Sequence, residues 1–195
     1  RGASQRLMAA GVAEVHTSAP PPLAASRPAI SSQYAAQLDK KLKSVAYRHR
    51  RAENDMRQFE ALHNCATGLK TLAPRVPDIV VRLRDDSYVV RVDVDVLLEE
   101  LELRELGRAR PAATLVTQRC ASHGGLNDKF AAVTGRDAID FFAAPLDTYN
   151  LRPLPPWVKN PETYYLDTYM RQGFQLMTSS SISVITTQLK RWNGC

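Results

Sequence analysis

The sequence predicts an elongated all-α chain: one long N-terminal helix, several short helices and a Pro- and aromatic-rich extended coil. Three observations predict it. Across residues 32–72, Tyr34, Leu38, Leu42, Val45, Ala52, Met56, Phe59, Leu62, Ala66 and Leu69 recur at spacings of three, four and seven. That is a single narrow apolar stripe on an otherwise charged rod. A second stripe, Val94, Leu97, Leu98 and Leu101, has an acidic opposite face of Asp95, Glu99, Glu102 and Glu105. Finally, the 12 prolines gather mostly at 20–28 and 145–161, where they forbid continuous helix and favour extended backbone.

In chain order, residues 1–31 read as a disordered or extended N-terminal arm. They carry Arg1, Arg6 and Arg27 against Glu14 alone, among Ala, Ser and Pro. Such a composition suits either the mature side of an organellar import signal or a plain disordered tail. A helical domain over 32–172 follows, containing the extended coil 145–160, and a Ser/Thr-rich tail occupies 173–195. Pro74 and Pro77 stop the long helix. A rod with so thin a stripe needs a counter-surface, from this chain or another.

Residues 79–92 alternate imperfectly and leave strand, linker and helix open. The second stripe makes a helix that ends at Leu106, with Gly107 as its C-terminal stop. A third helix is expected over 111–122, starting at Pro111, with short helical pieces over 128–133 and 137–144. Asn160 offers an N-cap and Pro161 a first helical residue for a helix over 161–172. Beyond Gly173 helix and strand remain open. Residues 172–189 carry no charge, but Gln, Ser and Thr interrupt them, so no transmembrane span is expected.

Net charge is +6 and the sequence pI is near 9.4, which favours RNA, anionic lipid or acidic protein faces as partners. Cys65, Cys120 and Cys195 are odd in number and lack C-x-x-C spacing, so a disulfide framework is not expected. No G-x-S-x-G, Walker A or G-x-G-x-x-G motif is present. Gly124-Gly125-Leu126-Asn127-Asp128 reads as turn chemistry. Asp85-Asp86, flanked by Arg82, Arg84 and Arg91, reads as surface ion pairs. His63 and Cys65 with Cys120 and His123 are weak candidates for a tetrahedral metal site, so neither metal nor cofactor is expected. The basic run Lys40, Lys41, Lys43, Arg48, His49, Arg50 and Arg51 could hold lipid or nucleic-acid phosphates. Its continuation into Glu53, Asp55 and Glu60 also suits an ordinary solvated helix face. The aromatic coil and following helix read as a partner-docking segment, with Leu154, Trp157, Tyr165, Leu166 and Tyr169 as its contacts.

Over roughly residues 60–170 the order of short motifs resembles a known family. Arg84-Asp85-Asp86, an acid-rich helix at 93–106, arginines from Arg108 and Arg110 to Arg119, Leu154-Pro155, Trp157, Tyr165-Leu166 and Tyr169 look like the small 14-kDa subunit of mitochondrial ubiquinol–cytochrome c reductase (complex III). Thr168 stands where that family has proline. The resemblance implies a helical, non-catalytic accessory subunit, peripheral on the matrix side of the mitochondrial inner membrane. Its partners would be cytochrome b and the core subunits, with cardiolipin against the basic helix. The alternatives are a mitochondrial ribosomal protein that binds rRNA through residues 40–51, an accessory subunit of ATP synthase or complex I, and a small metal-dependent or thiol enzyme.

Overall fold

The computed structural model describes residues 32–38, 44–72, 79–84, 87–102, 113–119, 123–149, 151 and 153–186. Two helices open the described chain, α1 (Ser32–Gln37) and α2 (Val45–Leu72). The Ser44 hydroxyl caps α2 by accepting from the Tyr47 N–H at 3.2 Å. At 1.5 Å per residue α2 is about 42 Å long. Its predicted stripe is its buried face: Ala52, Met56, Phe59, Leu62 and Ala66 are each at most 6 % exposed, while Val45 lies outside it, exposed. The counter-surface comes from this chain itself, chiefly α4 (Ala138–Asp147).

The all-α expectation is overturned. Six strands form two sheets, so the fold is mixed α/β. Strands β1 (Ile79–Leu83), β4 (Phe130–Thr134), β3 (Thr114–Gln118) and β5 (Gln175–Ser179) lie side by side in that order. β4 is antiparallel to both neighbours and β5 is parallel to β3, so β1, β3 and β5 all point the same way. β2 (Ser87–Val92) and β6 (Ile182–Thr186) make a separate antiparallel pair, with a register shift between Val89 and Arg91. The two sheets are tied where the Val184 N–H donates to Gln118 Oε1 at 3.1 Å.

Two expectations are corrected here. The helix expected over 111–122 is strand β3, and the helical piece expected over 128–133 is strand β4. Beyond Gly173, where the sequence leaves both helix and strand open, β5 and β6 are strands that complete both sheets. The physical reason is burial on two sides. All five residues of β3 are buried, Leu115 facing one apolar cluster and Val116 the other. A strand covered on both faces loses the polar alternation by which strands are recognised, and its short apolar run then reads equally well as helix.

Those two clusters organise the molecule. One face of the main sheet (Leu115, Ala131, Val133) packs against α1, α2, α4 and α5 (Pro161–Arg171). The other (Val116, Phe130, Ala132) packs against α3 (Val94–Glu102) and β6 through Leu97, Leu101, Ile182 and Val184. Alanines at 131 and 132 let layers approach closely on both sides. At the centre of the first cluster Phe59 stacks on Tyr164 at 4.7 Å, and Tyr165 stacks on Tyr169 at 6.1 Å.

Candidate functional site

The carboxyl ends of β1, β3 and β5 share one edge of the sheet, and because β4 is antiparallel, its entrance lies there too. Register places Leu83 opposite Phe130, so Arg84 emerges beside Asp128 and Lys129. The Arg84 N–H donates to the Lys129 carbonyl at 3.1 Å. Arg84 Nη1 donates to Asp128 Oδ2 at 2.5 Å, and Lys129 Nζ reaches Asp128 Oδ1 at 3.5 Å. Asp128 and Lys129 are buried, while Arg84 keeps a quarter of its side chain in solvent. Asn127 shapes the approach, its Oδ1 accepting from the Lys129 N–H at 2.8 Å.

The loop carrying these residues is pressed onto the start of α5. His123 and Gly124 both take left-handed backbone, with φ of 44° and 82°. Gly125 then passes so close to Glu162 that no side chain fits, and the Leu126 N–H donates to the Glu162 carbonyl at 3.0 Å. Asn160 makes both ends of the junction. Its Oδ1 accepts from the Thr163 N–H at 2.7 Å, Thr163 Oγ1 accepts from the Asn160 N–H, and Asn160 Nδ2 donates to the His123 carbonyl at 3.1 Å. This capping box bears out the N-cap, the Pro161 start and the helix expected over 161–172.

Glu162, at the entrance of α5, is buried, and its Oε2 has no hydrogen-bond partner. Burial pushes its carboxyl above the ordinary range, and the Asp128 charge adds to the shift; its own backbone N–H, His123 and Arg51 oppose it. Asp55 of α2 lies within reach of the same charges. Burial raises it to about 7, against the hydrogen bond from Tyr34 and the charge of Arg51. Below the cluster Arg82 is buried, its guanidinium 5.0 Å from the centre of the Tyr165 ring. Basic groups, buried carboxylates and one unsatisfied acceptor therefore converge at a single sheet edge, an arrangement able to hold anionic oxygens and hydroxyls together.

The sequence-predicted residues are distributed differently. Tyr165 and Tyr169 are each 1 % exposed and belong to the core, so they offer a partner no surface. They sit at i and i+4 on the inward face of α5, which is what drew them inside. Leu166 and Leu154 are half-buried, and Leu154 is held through its carbonyl by Gln37 Nε2 at 3.2 Å. Trp157 alone of the five is open, at 42 %. Among the basic run, Arg48 and Arg51 are half-buried and Arg50 is exposed on α2, while Lys40, Lys41 and Lys43 lie outside the described residues.

His63 pairs with Asp147 at 3.4 Å, and Cys65 is exposed on α2. Desolvation of its sulfur pushes the Cys65 thiol up, the opposite of an activated thiolate. His123 belongs to the loop against α5, and Cys120 lies outside the described residues, as do Asp85 and Asp86. Among the described residues, no group of three His, Cys, Asp or Glu is placed to hold a metal. No described helix is long and apolar enough to cross a membrane.

Sequence reasoning missed Asp128, Lys129 and Glu162. A signal was present: Asn127-Asp128-Lys129 is enclosed by Leu126 and Phe130 and preceded by two glycines, so charged groups stand where a buried strand begins. A hollow of about 170 Å3, lined in part by Thr148, Leu154, Tyr164, Asp167, Thr168 and Arg171, lies along a different flank of α5. Comparison with protein-family models, with curated proteins and with solved structures finds no match to this chain.

Proposed function

We propose that this chain is the ligand-binding α/β domain of an enzyme that acts on a phosphorylated polyhydroxyl compound, a nucleotide sugar being the class that suits it best, with transfer of the sugar as its reaction. The observation that carries this reading is the buried Arg84–Asp128–Lys129 cluster beside the unpartnered carboxylate oxygen of Glu162. Guanidinium and ammonium groups take phosphate oxygens, and buried carboxylates take hydroxyl donors. A ligand carrying both is a sugar joined to phosphate. The site lies at the carboxyl end of β1, beside the entry to its antiparallel partner β4.

In this reading Arg84, a quarter open to solvent and oriented by Asp128, meets the phosphates. Glu162, its carboxyl raised by burial, takes the proton of the incoming hydroxyl as the sugar–phosphate bond breaks and the nucleoside diphosphate leaves. The test is calorimetric titration of the full chain with UDP-glucose and GDP-mannose, each with Mg2+ or Mn2+. Binding of one of them, abolished in Arg84→Ala, is the expected result. Absence of binding at millimolar ligand overturns the reading.

A second reading, the non-catalytic accessory subunit with complex III as its assembly, keeps support from one observation. Trp157 is exposed at 42 % on a proline-stiffened coil, and Leu151 is exposed at 70 %. The helical architecture that the resemblance implies is not the fold described above. Trp157→Ala should then weaken incorporation into the complex on native gels, and normal incorporation counts against it.

A further inference from the structure

Tyr34 is the one ring of α1 inserted into the aromatic cluster. It lies 5.5 Å from Tyr164, 5.9 Å from Tyr149 and 6.3 Å from Phe59, all edge-on. Its hydroxyl donates to Asp55 Oδ2 at 2.8 Å, a buried bond that joins α1 to α2. Asp55 is 4 % exposed, so its carboxyl has exchanged water for a tyrosine hydroxyl and the field of its neighbours. Those neighbours are Tyr34 from α1, Arg51 from α2, Asp128 from the loop before β4, and Glu162 and Tyr165 from α5. Two of them are carboxylates and one is cationic, so a charge on Asp55 is opposed by burial and by like charge together.

We infer that Tyr34 and Asp55 form a proton-operated clasp, closed while Asp55 holds its proton and loosened when Asp55 ionises, which fastens α1 over the core beside the Glu162–Asp128 edge. This does not rest on the reading of that edge as an enzyme site. The bond joins α1 to α2 beside the apolar contacts of Tyr34, Ala35 and Leu38, so the proton on one carboxyl adds to or subtracts from that docking.

The sign follows from the two states of Asp55. In the closed state burial raises it from 3.8 to about 7, with Tyr34 and Arg51 opposing the rise. Once α1 lifts, water reaches the carboxyl and its ordinary value returns. Closure therefore takes up a proton. Its stability is full below the ordinary carboxylate value and is lost progressively as pH rises towards 7, after which it changes no further. The hydrogen bond itself favours the ionised form, so removing the Tyr34 hydroxyl must move the transition upward.

The experiment is hydrogen exchange of the α1 amides, corrected for intrinsic rates, on the full chain between about pH 5 and pH 8. The Leu38 N–H, bonded to the Tyr34 carbonyl at 3.1 Å, is the most direct reporter. Wild-type protection there is expected to fall at least tenfold across that range, within the limit that linkage sets. Protection in β3 and β4 reports global unfolding and so also carries the Glu162 dependence, whereas Asp55→Asn should hold α1 protection constant. A 13C-carboxyl titration of Asp55 should give a midpoint near neutrality, moved higher by Tyr34→Phe, which keeps the ring in place. A wild-type α1 whose protection ignores pH, a parallel fall in Asp55→Asn, or an Asp55 midpoint in the ordinary carboxylate range each overturns the clasp.

Discussion

Gly125 lies against the backbone of Glu162 so tightly that a β-carbon at 125 would stand 2.1 Å from the Glu162 carbonyl carbon and 2.2 Å from its oxygen. The loop that presents Asp128 and the helix that presents Glu162 are thus held in one geometry by the absence of a side chain. Gly125→Ala must push one of them away, because the obstruction is backbone. It should destabilise the fold by about 1–3 kcal/mol, as overpacking does. Urea unfolding measures the loss, and a neutral substitution would mean the contact is not rigid.

Removing the charge at Asp128 tests the ion cluster. Asp128→Asn removes the carboxylate charge that Arg84 and Lys129 share, and Lys129 is buried. A buried pair broken on one side costs several kcal/mol; with part of Arg84 in solvent, about 2–3 kcal/mol is expected here. The fall in urea midpoint should be larger than that of Asp147→Asn, whose partner His63 sits on the surface.

The capping box at Asn160 gives a smaller and local effect. Asn160→Ala deletes the bond from the Thr163 N–H and the bond to the His123 carbonyl. A loss of about 1 kcal/mol is expected, or roughly 2–4 °C in Tm for a chain of this size. Asn160→Asp, which keeps the acceptor, should recover most of it.

Glu162 links stability to pH in a definite direction. Its folded carboxyl is raised, so the folded state holds the proton more strongly than the unfolded one. The stability associated with that proton is present at acid pH and is lost as pH rises from the ordinary glutamate value through the raised one. Glu162→Gln removes the ionisation. It should be the more stable protein at about pH 8 and lose that advantage near pH 4, by comparison of urea midpoints, while ligand binding at the edge declines.

Trp157 and Phe59 contrast a surface aromatic with a core one. Trp157→Ala should change stability by less than about 1 kcal/mol, because the side chain is 42 % exposed and outside both apolar clusters. Phe59 is fully buried against Tyr34, Tyr149, Tyr164 and Tyr165. Phe59→Ala should cost about 3–5 kcal/mol.

Local signals were legible where one segment carries them whole. The α2 stripe Ala52, Met56, Phe59, Leu62 and Ala66, the apolar face of α3 at Leu97 and Leu101, and the Asn160–Pro161 start of α5 can each be read within a few residues, because periodicity and capping are short-range. The aromatic cluster was also visible as composition. Its direction was not: Tyr165 and Tyr169 read as a docking face because nothing in their spacing tells an internal counter-surface from an external one.

By itself, then, the sequence determined the buried faces of α2 and α3, the Asn160 cap of α5 and the basic character of the chain. Only the tertiary structure decided that Thr114–Gln118 and Phe130–Thr134 are strands, since their hydrogen-bond partners stand on segments as distant as β1 and β5. It also decided that Arg84, Asp128 and Glu162 share one edge. A sheet is specified by pairings between remote stretches whose apolar runs are locally ambiguous, and a site built across such pairings has no pattern in any one of them.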